Sequence, residues 1–282
     1  MEDRTFGHRA AGRPLRFLRD ACVAGLTALA ATMSSGPAAG QNSANLPTID
    51  VIATSPIGSN ADTGVDRDKI AASTQTLKAD DFARTYSQSV TDTLMQRVPG
   101  VSVTDVQGNG LTQDLRYRGF AASPLQGTPQ GIAVYMNGIR FNEAFGDTVN
   151  WDLIPTNAIH RADIWTNNPT FGLNALGGAV SIQMKNGFTY SGGEFEAQGG
   201  SFGRISGGAQ YGKQKDGFGI YLSAQGLKED GWRYQSPSEV RRFYGDLGWR
   251  GDGSEIHMIG TAGRNYFGVV GPTPIQIGRA HV

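Results

Sequence analysis

From Gly187 onward the chain alternates apolar and polar residues one by one, and this period of two constrains the fold more than any other feature. Phe195, Ala197 and Gly199 alternate with Glu194, Glu196 and Gln198, and Ile205, Gly207, Ala209 and Tyr211 with Ser206, Gly208 and Gln210. Phe218, Ile220, Leu222 and Ala224 repeat the pattern against Tyr221, Ser223 and Gln225, as do Phe243, Leu247 and Trp249 against Arg242, Tyr244, Asp246 and Arg250. Ile256, Met258 and Ala262 open a fifth run. Successive side chains of a strand point to opposite faces, so each run predicts a strand with one apolar and one polar face. Short turns at Ser201-Phe202-Gly203, Lys215-Asp216-Gly217 and Gly251-Asp252-Gly253 and a long link from Lys228 to Ser238 join them. Strands of about ten residues with this alternation are what a ~25 Å apolar slab asks of a transmembrane barrel. A soluble sandwich shares the alternation but fills its inner faces with more Val, Ile and Leu than the Gly, Ala and Tyr found here.

Composition supports strands over helices. Glycine supplies 40 of the 282 residues, about twice the ~7% average, and charged residues are only 18% of the chain. Mean hydropathy is −0.31 and no apolar run approaches the ~18 residues of a spanning helix, which excludes a helical membrane protein. Five arginines (Arg4, Arg9, Arg13, Arg16, Arg19) precede the apolar stretch from Ala21 to Met33 and the small residues Ala38-Ala39-Gly40. That three-part order is a secretory signal peptide over 1–40, with the mature chain starting at Gln41. Cys22, the one cysteine, falls inside it, so the mature chain has no disulfide, thiolate metal site or thiol nucleophile. The 25 basic and 25 acidic residues balance, and the leader holds five of the former and three of the latter, so the remainder is slightly acidic. Lysines and arginines are scattered singly, without the basic stripe that nucleic acid requires.

Between these two signals lie two further regions. Residues 41–68 are rich in Asn, Ser, Thr, Asp and Gly around the apolar island Thr48-Ile49-Asp50-Val51-Ile52-Ala53, a flexible arm with one strand-prone segment. Residues 69–186 mix periods. Val90, Leu94 and Val98 at spacing four, stopped by Pro99-Gly100, predict a short helix over Ser89–Val98. Strands are predicted over Val101–Val106, Leu115–Arg118, Ile132–Tyr135, Ile159–Trp165 and Ala179–Met184, with a tight turn at Asn137-Gly138. This is a small α+β domain.

Several short motifs in this domain keep an order and spacing already known. Leu94-Met95-Gln96-Arg97-Val98-Pro99-Gly100-Val101 is followed by Arg116-Tyr117-Arg118-Gly119-Phe120, Val134-Tyr135-Met136-Asn137-Gly138 and Ile154-Pro155 with Ile159. Phe171-Gly172 then leads into Leu176-Gly177-Gly178-Ala179-Val180. Together with the hexad in the arm, the series resembles the plug domain of TonB-dependent outer-membrane receptors. The resemblance implies an α+β plug over 69–186 followed, over 187–276, by the first antiparallel strands of a transmembrane β-barrel that has 22 strands in the full-length family. Thr48, Ile49, Asp50, Val51, Ile52 and Ala53 then resemble the TonB box, which pairs by strand addition with the periplasmic protein TonB. Such pairing uses main-chain hydrogen bonds and tolerates Asp50 at an often apolar position.

The same resemblance implies a receptor in the outer membrane of a Gram-negative bacterium, in contact with its lipid. It would bind an extracellular siderophore, metal chelate or similar scarce nutrient and import it to the periplasm with energy passed by TonB from the inner-membrane proton-driven complex. No cofactor, resident metal or enzymatic activity is implied. Pro99, Gly100, Arg116, Arg118, Gly119, Phe120, Gly177 and Gly178 are the plug-motif residues. Arg116 and Arg118, two apart, are expected on one strand face, aimed at carboxylates of a barrel wall. The plug loops 107–113, 121–130 and 141–151 would face outward, and Asn109, Gln126 and Phe145 are their candidate ligand contacts, with Arg140, Glu143 and Asp147 nearby. Where the family runs Ile-Glu-Val, a basic residue and Gly-Pro, this chain reads Ala162-Asp163-Ile164-Trp165-Thr166-Asn167-Asn168-Pro169, leaving Asp163 the carboxylate role.

Two other readings share these features: a signal-transducing receptor of the same family, whose extra folded domain would precede the hexad, and a soluble periplasmic β-rich binding module. Enzyme motifs are weaker. Gly199-Gly200-Ser201-Phe202-Gly203 matches a serine-hydrolase elbow, yet joins two strands where that motif needs a helix after it. Gly207 to Lys213 nearly forms a phosphate loop, but Gln214 replaces the hydroxyl that holds magnesium. The last six residues, Ile277–Val282, are one translation of a common sequencing-library adapter, so the gene is expected to continue past Gln276 and the barrel to be truncated. As written, the polypeptide is expected neither to insert in the membrane nor to transport, because open sheet edges are not tolerated in lipid.

Overall fold

The computed structural model describes residues 51–52, 65–66, 72–105, 109–123, 130–166, 168–233 and 236–268. The leader 1–40, Thr48, Ile49, Asp50, Ala53, Gln126 and the closing six residues lie outside them.

In the arm, β1 (Val51–Ile52) pairs antiparallel with β2 (Val65–Asp66). The domain that follows runs β3 (Thr74–Lys78), α1 (Ala79–Thr85), α2 (Val90–Arg97), β4 (Val101–Thr104), β5 (Asp114–Tyr117), β6 (Phe120–Ala121), β7 (Ile132–Met136), β8 (Ile139–Arg140), β9 (Ile159–Trp165) and β10 (Gly178–Met184). Single 3-10 turns at Trp151–Leu153 and Thr156–Ala158 lead into β9. Five strands form a mixed sheet in the order β3-β9-β10-β7-β8, parallel between β10 and β7 and antiparallel elsewhere, while β4-β5-β6 form a second small sheet. The helix predicted at Ser89–Val98 is α2, which buries Val90 and Leu94 one turn apart. Strand β3 and α1 were not anticipated. Helix α1 buries only Phe82, too little periodicity to show, and at its start Asp81 Oδ2 accepts from the Lys78 N–H at 2.9 Å.

The third unit is one antiparallel sheet in sequence order: β11 (Gly192–Gly199), β12 (Ile205–Lys215), β13 (Phe218–Glu229), β14 (Ser238–Gly251) and β15 (Ser254–Phe267). Register is unbroken along every pair, so Ala209, Ala224, Phe243 and Ala262 stand side by side across four strands. All five strands come from the runs of alternation, each longer than its run.

This sheet is inside out relative to a soluble sandwich. Its apolar set, Phe195, Ile205, Phe218, Leu222, Phe243, Leu247, Trp249, Ile256 and Met258, is exposed. Its polar set, Ser206, Gln210, Ser223, Gln225, Arg242 and Asp246, is buried. What covers the polar face is the α+β domain: wall residues Tyr221 and Tyr244 belong to the same core as Leu94, Leu115, Ile132, Ile154, Ile159 and Ile182. A sheet that buries amides and hydroxyls against its own chain while presenting Phe, Leu, Ile and Trp outward is suited to an apolar surround. Among the described residues no helix is long and apolar enough to cross a membrane; strands are not bound by that criterion.

Candidate functional site

Two of the motif residues, Phe120 and Gly177, meet at one aromatic ring. Helix α2 ends as the Val98 N–H reaches Leu94 O at 2.9 Å, and Pro99-Gly100 turns the chain into β4, with Gly100 at φ +85°. Strand β5 stops at Tyr117, and Arg118 (φ +53°) and Gly119 (φ +86°) form the two-residue turn of a hairpin whose Tyr117 and Phe120 pair. Two positive φ values make this turn match the right-handed twist of its strands. The expectation that Arg116 and Arg118 share a strand face is therefore corrected: Arg116 lies within β5, whereas Arg118 sits in the turn and is exposed. The ring of Phe120 is wedged between Gly131 and Gly177. A Cβ on Gly177 would lie 2.6 to 2.7 Å from the ring and Cβ of Phe120, and one on Gly131 would also strike the ring. Gly178 next to it passes Trp165 O, 2.6 Å from where its own Cβ would be. Asp163 is satisfied within the same domain, accepting from Thr76 Oγ1 at 2.6 Å and pairing with Arg161 Nε at 2.8 Å.

The candidate ligand contacts separate. Asn109 is 4% exposed, its Nδ2 donating to Ser238 Oγ of β14 at 2.8 Å and its Oδ1 accepting from the Leu111 N–H at 2.9 Å. It ties its loop to the wall, a structural task, and offers no free face to a ligand. Asn142 is buried in the same manner, Oδ1 capping the Val134 N–H at 2.7 Å. Phe145 instead is 94% exposed at the tip of a stapled loop. Arg140 Nη2 pairs with Asp147 Oδ1 at 2.9 Å, Asn174 Nδ2 holds the other Asp147 oxygen, and Glu143 accepts from Thr148 Oγ1 at 2.8 Å and from Asn150 Nδ2. Arg140, Glu143 and Asp147 are thus spent on fixing the loop that carries Phe145. Gln126 lies outside the described residues.

A seam of side-chain hydrogen bonds, which the sequence reading missed, joins this domain to the wall. Gln88 Nε2 donates to Gly226 O at 3.1 Å, Asn137 Nδ2 to Tyr244 Oη at 3.0 Å, and Ser223 Oγ to Asn157 Oδ1 at 2.8 Å. Lys185 Nζ donates to Asn157 O at 2.7 Å and to Gln210 Oε1 at 3.0 Å, and lies 4.9 Å from the centre of the Tyr190 ring. Beside it a cavity of about 300 Å³ is lined by Asp80, Tyr86, His160, Lys185, Glu194 and Glu196, among others. Burial lowers the Lys185 pKa against the pull of Glu194 and Glu196, and burial, then Lys185 and Arg161, lower that of His160. On the far side of the domain burial raises Asp114, whose Oδ1 accepts from the Ser123 N–H at 3.0 Å. The signal for the seam was present in the strand alternation, because Gln210, Ser223, Gln225 and Arg242 all fall on the polar face.

In the arm, Val51 and Ile52 of the hexad are extended and paired with Asp66 and Val65. The segment Gly199–Gly203 links the antiparallel strands β11 and β12, so the helix of a nucleophile elbow does not follow it.

Residues 66–179 match the model of the TonB-dependent Receptor Plug Domain. The chain is 25% identical over 116 residues to the vitamin B12 transporter BtuB of Vibrio vulnificus strain CMCP6, an alignment covering 40% of this chain and 18% of that protein. Two solved structures share its fold. The ferric-catecholate import receptor Fiu of E. coli K12, in its open form, superposes with a TM-score of 0.59 at 16% identity, over 76% of this chain and 29% of that one. The ferripyoverdine receptor of the Pseudomonas aeruginosa outer membrane, bound to ferripyoverdine, does so with a TM-score of 0.56 at 13% identity, over 72% and 26%. The chain thus spans less than a third of the length of each of these relatives.

Proposed function

We propose that the chain, whose residues 66–179 match the TonB-dependent Receptor Plug Domain, belongs to an outer-membrane transporter that takes up a scarce extracellular nutrient. One observation carries the reading: the plug covers the polar face of a sheet whose apolar face is exposed, the arrangement of a gate inside a lipid-facing wall. Phe145, on its stapled loop, is an aromatic surface on which a planar or apolar part of a ligand can rest. The named ligands and roles of the relatives, vitamin B12, a ferric catecholate and ferripyoverdine, support a metal chelate as the class of cargo. Thr48–Ala53 receives a strand of TonB along its main chain, as β1 already pairs with β2. Force applied there, drawn from the inner-membrane proton gradient, shifts the plug and opens a path along the seam to the periplasm. Pro99, Gly100, Gly119, Phe120, Gly177 and Gly178 keep the plug in shape while it is gripped.

The experiment expresses the whole gene product in an outer-membrane receptor-deficient strain and measures uptake of a panel of radiolabelled ferric chelates and cobalamin with and without TonB. Uptake of at least one that disappears without TonB, and with Val51→Pro, supports the proposal, since proline removes a main-chain donor from the paired strand. Extraction of the protein in the soluble periplasmic fraction without detergent overturns it.

A further inference from the structure

We propose that Arg242 is a positioning residue, a clasp on the wall that holds two separate segments of the plug at one point. Arg242 stands on the inward face of β14 and is 3% exposed. Its Nη1 donates to Gln88 O at 2.7 Å, to Ile154 O at 3.2 Å and to Gln225 Oε1 of β13 at 3.3 Å. Gln88 belongs to the linker between α1 and α2, and Ile154 to the turn that precedes Pro155 and β9. The guanidinium bridges these two carbonyls, whose segments also meet directly through Thr156 Oγ1 and Ser87 O.

Further bonds close a ring around it. Gln225 Oε1 accepts from the Thr156 N–H at 3.2 Å, and Gln225 Nε2 donates to Thr156 Oγ1 at 3.1 Å. Thr156 Oγ1 in turn donates to Ser87 O at 3.3 Å, and Gln88 Nε2 returns a bond to Gly226 O of β13. Each plug segment is therefore tied to the wall and to the other. The acceptors on the plug are mostly main-chain carbonyls, so the clasp reads the folded shape of two turns rather than any side chain. A buried guanidinium is tolerated only where its N–H groups are met. Nη1 meets three acceptors here, while among the described residues Nε has no hydrogen-bond partner. The clasp rests on the packing of plug on wall and is independent of the transport reading.

Hydrogen–deuterium exchange of the full chain in detergent micelles tests it. Hydrogen bonds to a charged group are strong enough that losing them should raise local opening about tenfold or more. Arg242→Met is expected to speed amide exchange by that factor in both 87–93 and 154–158, while the amides of β7 and β10 keep the wild-type rate. Gln225→Ala, which removes the Thr156 bonds and leaves Arg242 on Gln88 O, is expected to speed only 154–158. Wild-type rates in either segment of Arg242→Met overturn the proposal, as does an equal rise through β7 and β10, which marks general loosening. Speeding of both segments by Gln225→Ala assigns the junction to the glutamine and overturns it as well.

Discussion

Alanine at position 177 places a methyl group where the ring of Phe120 already sits. The added Cβ would lie 2.6 Å from Cδ2 and 2.7 Å from Cβ and Cγ of Phe120, well inside van der Waals contact. Gly177 is not among the positive-φ positions, so alanine adds no backbone strain, and its lower unfolded-state entropy alone would stabilise by ~0.4–1 kcal/mol. The clash must outweigh that gain. Overpacking in a dense interior costs about 1–3 kcal/mol, and the ring cannot slide away because Gly131 presses its other side. The net effect is a loss of roughly 1–2 kcal/mol, which at a urea slope of about 1–3 kcal/mol per molar lowers the midpoint by roughly 1 M. Phe120→Ala is itself destabilising, by about 2–4 kcal/mol for a partly buried phenylalanine, but it removes the obstacle. In that background Gly177→Ala should cost nothing or stabilise slightly, a coupling of roughly 1–3 kcal/mol. Urea titrations in detergent followed by tryptophan fluorescence report on the plug through Trp151 and Trp165, 3% and 1% exposed. An unshifted midpoint for Gly177→Ala, or the same shift with and without Phe120, would show that the wedge of ring between glycines does not hold the motif together.

Three further outcomes follow from other parts of the molecule. Leu222→Arg, made in the whole gene product, places a charge in the middle of the exposed apolar face of β13; in a bilayer it should cost roughly 2–4 kcal/mol and block insertion into liposomes, whereas a near-wild-type yield of inserted protein would mean that this face does not meet lipid. His160 has its pKa held below the ordinary 6.5 by burial and then by Lys185 and Arg161. The plug should keep its full stability above that pH and lose it as pH falls through 6.5 toward the depressed folded value, and His160→Gln should flatten this limb in melts between pH 7.5 and 5; a retained limb assigns it to another group. Phe145→Ser should leave the melting temperature unchanged, the ring being 94% exposed, while weakening binding of whichever chelate the uptake panel identifies; unchanged affinity removes Phe145 from the ligand surface.

The wall was legible because period two persists through five runs and nothing but a strand keeps it. Strand ends were less so, since residues such as Lys215 and Glu229 extend β12 and β13 beyond the alternating part. The helix that buries one phenylalanine, α1, left no period to read. Arg118 reads as a strand residue beside Arg116 and Tyr117, yet Gly119 after it completes a turn with two positive φ angles, which arginine adopts only because its neighbours enforce it. Asn109 reads as a ligand amide for a related reason. An amide in a loop serves equally to satisfy a main-chain group that folding has removed from water, and Asn109 does so for Leu111, as Asn142 does for Val134.

The polarity of the seam then bears on why a plug can be both firmly seated and movable. The wall could have met the plug with its apolar face, and burial at about 25 cal/mol per Å² would have made that contact one that nothing in water replaces. It meets the plug instead with Ser223, Gln225, Arg242 and Gln210, through hydrogen bonds to Asn157, Thr156, Gln88 and Lys185. Each such bond contributes only about 0.5–1.5 kcal/mol net when neutral, because water can take its place when it opens. The cavity beside Lys185 supplies space from which water can enter. A seam of this kind is broken one bond at a time, and its strongest points are the charged junctions at Arg242 and Lys185. A pull on the arm should therefore loosen the plug first where neutral amides alone hold it and last around Gln88, Ile154 and Asn157.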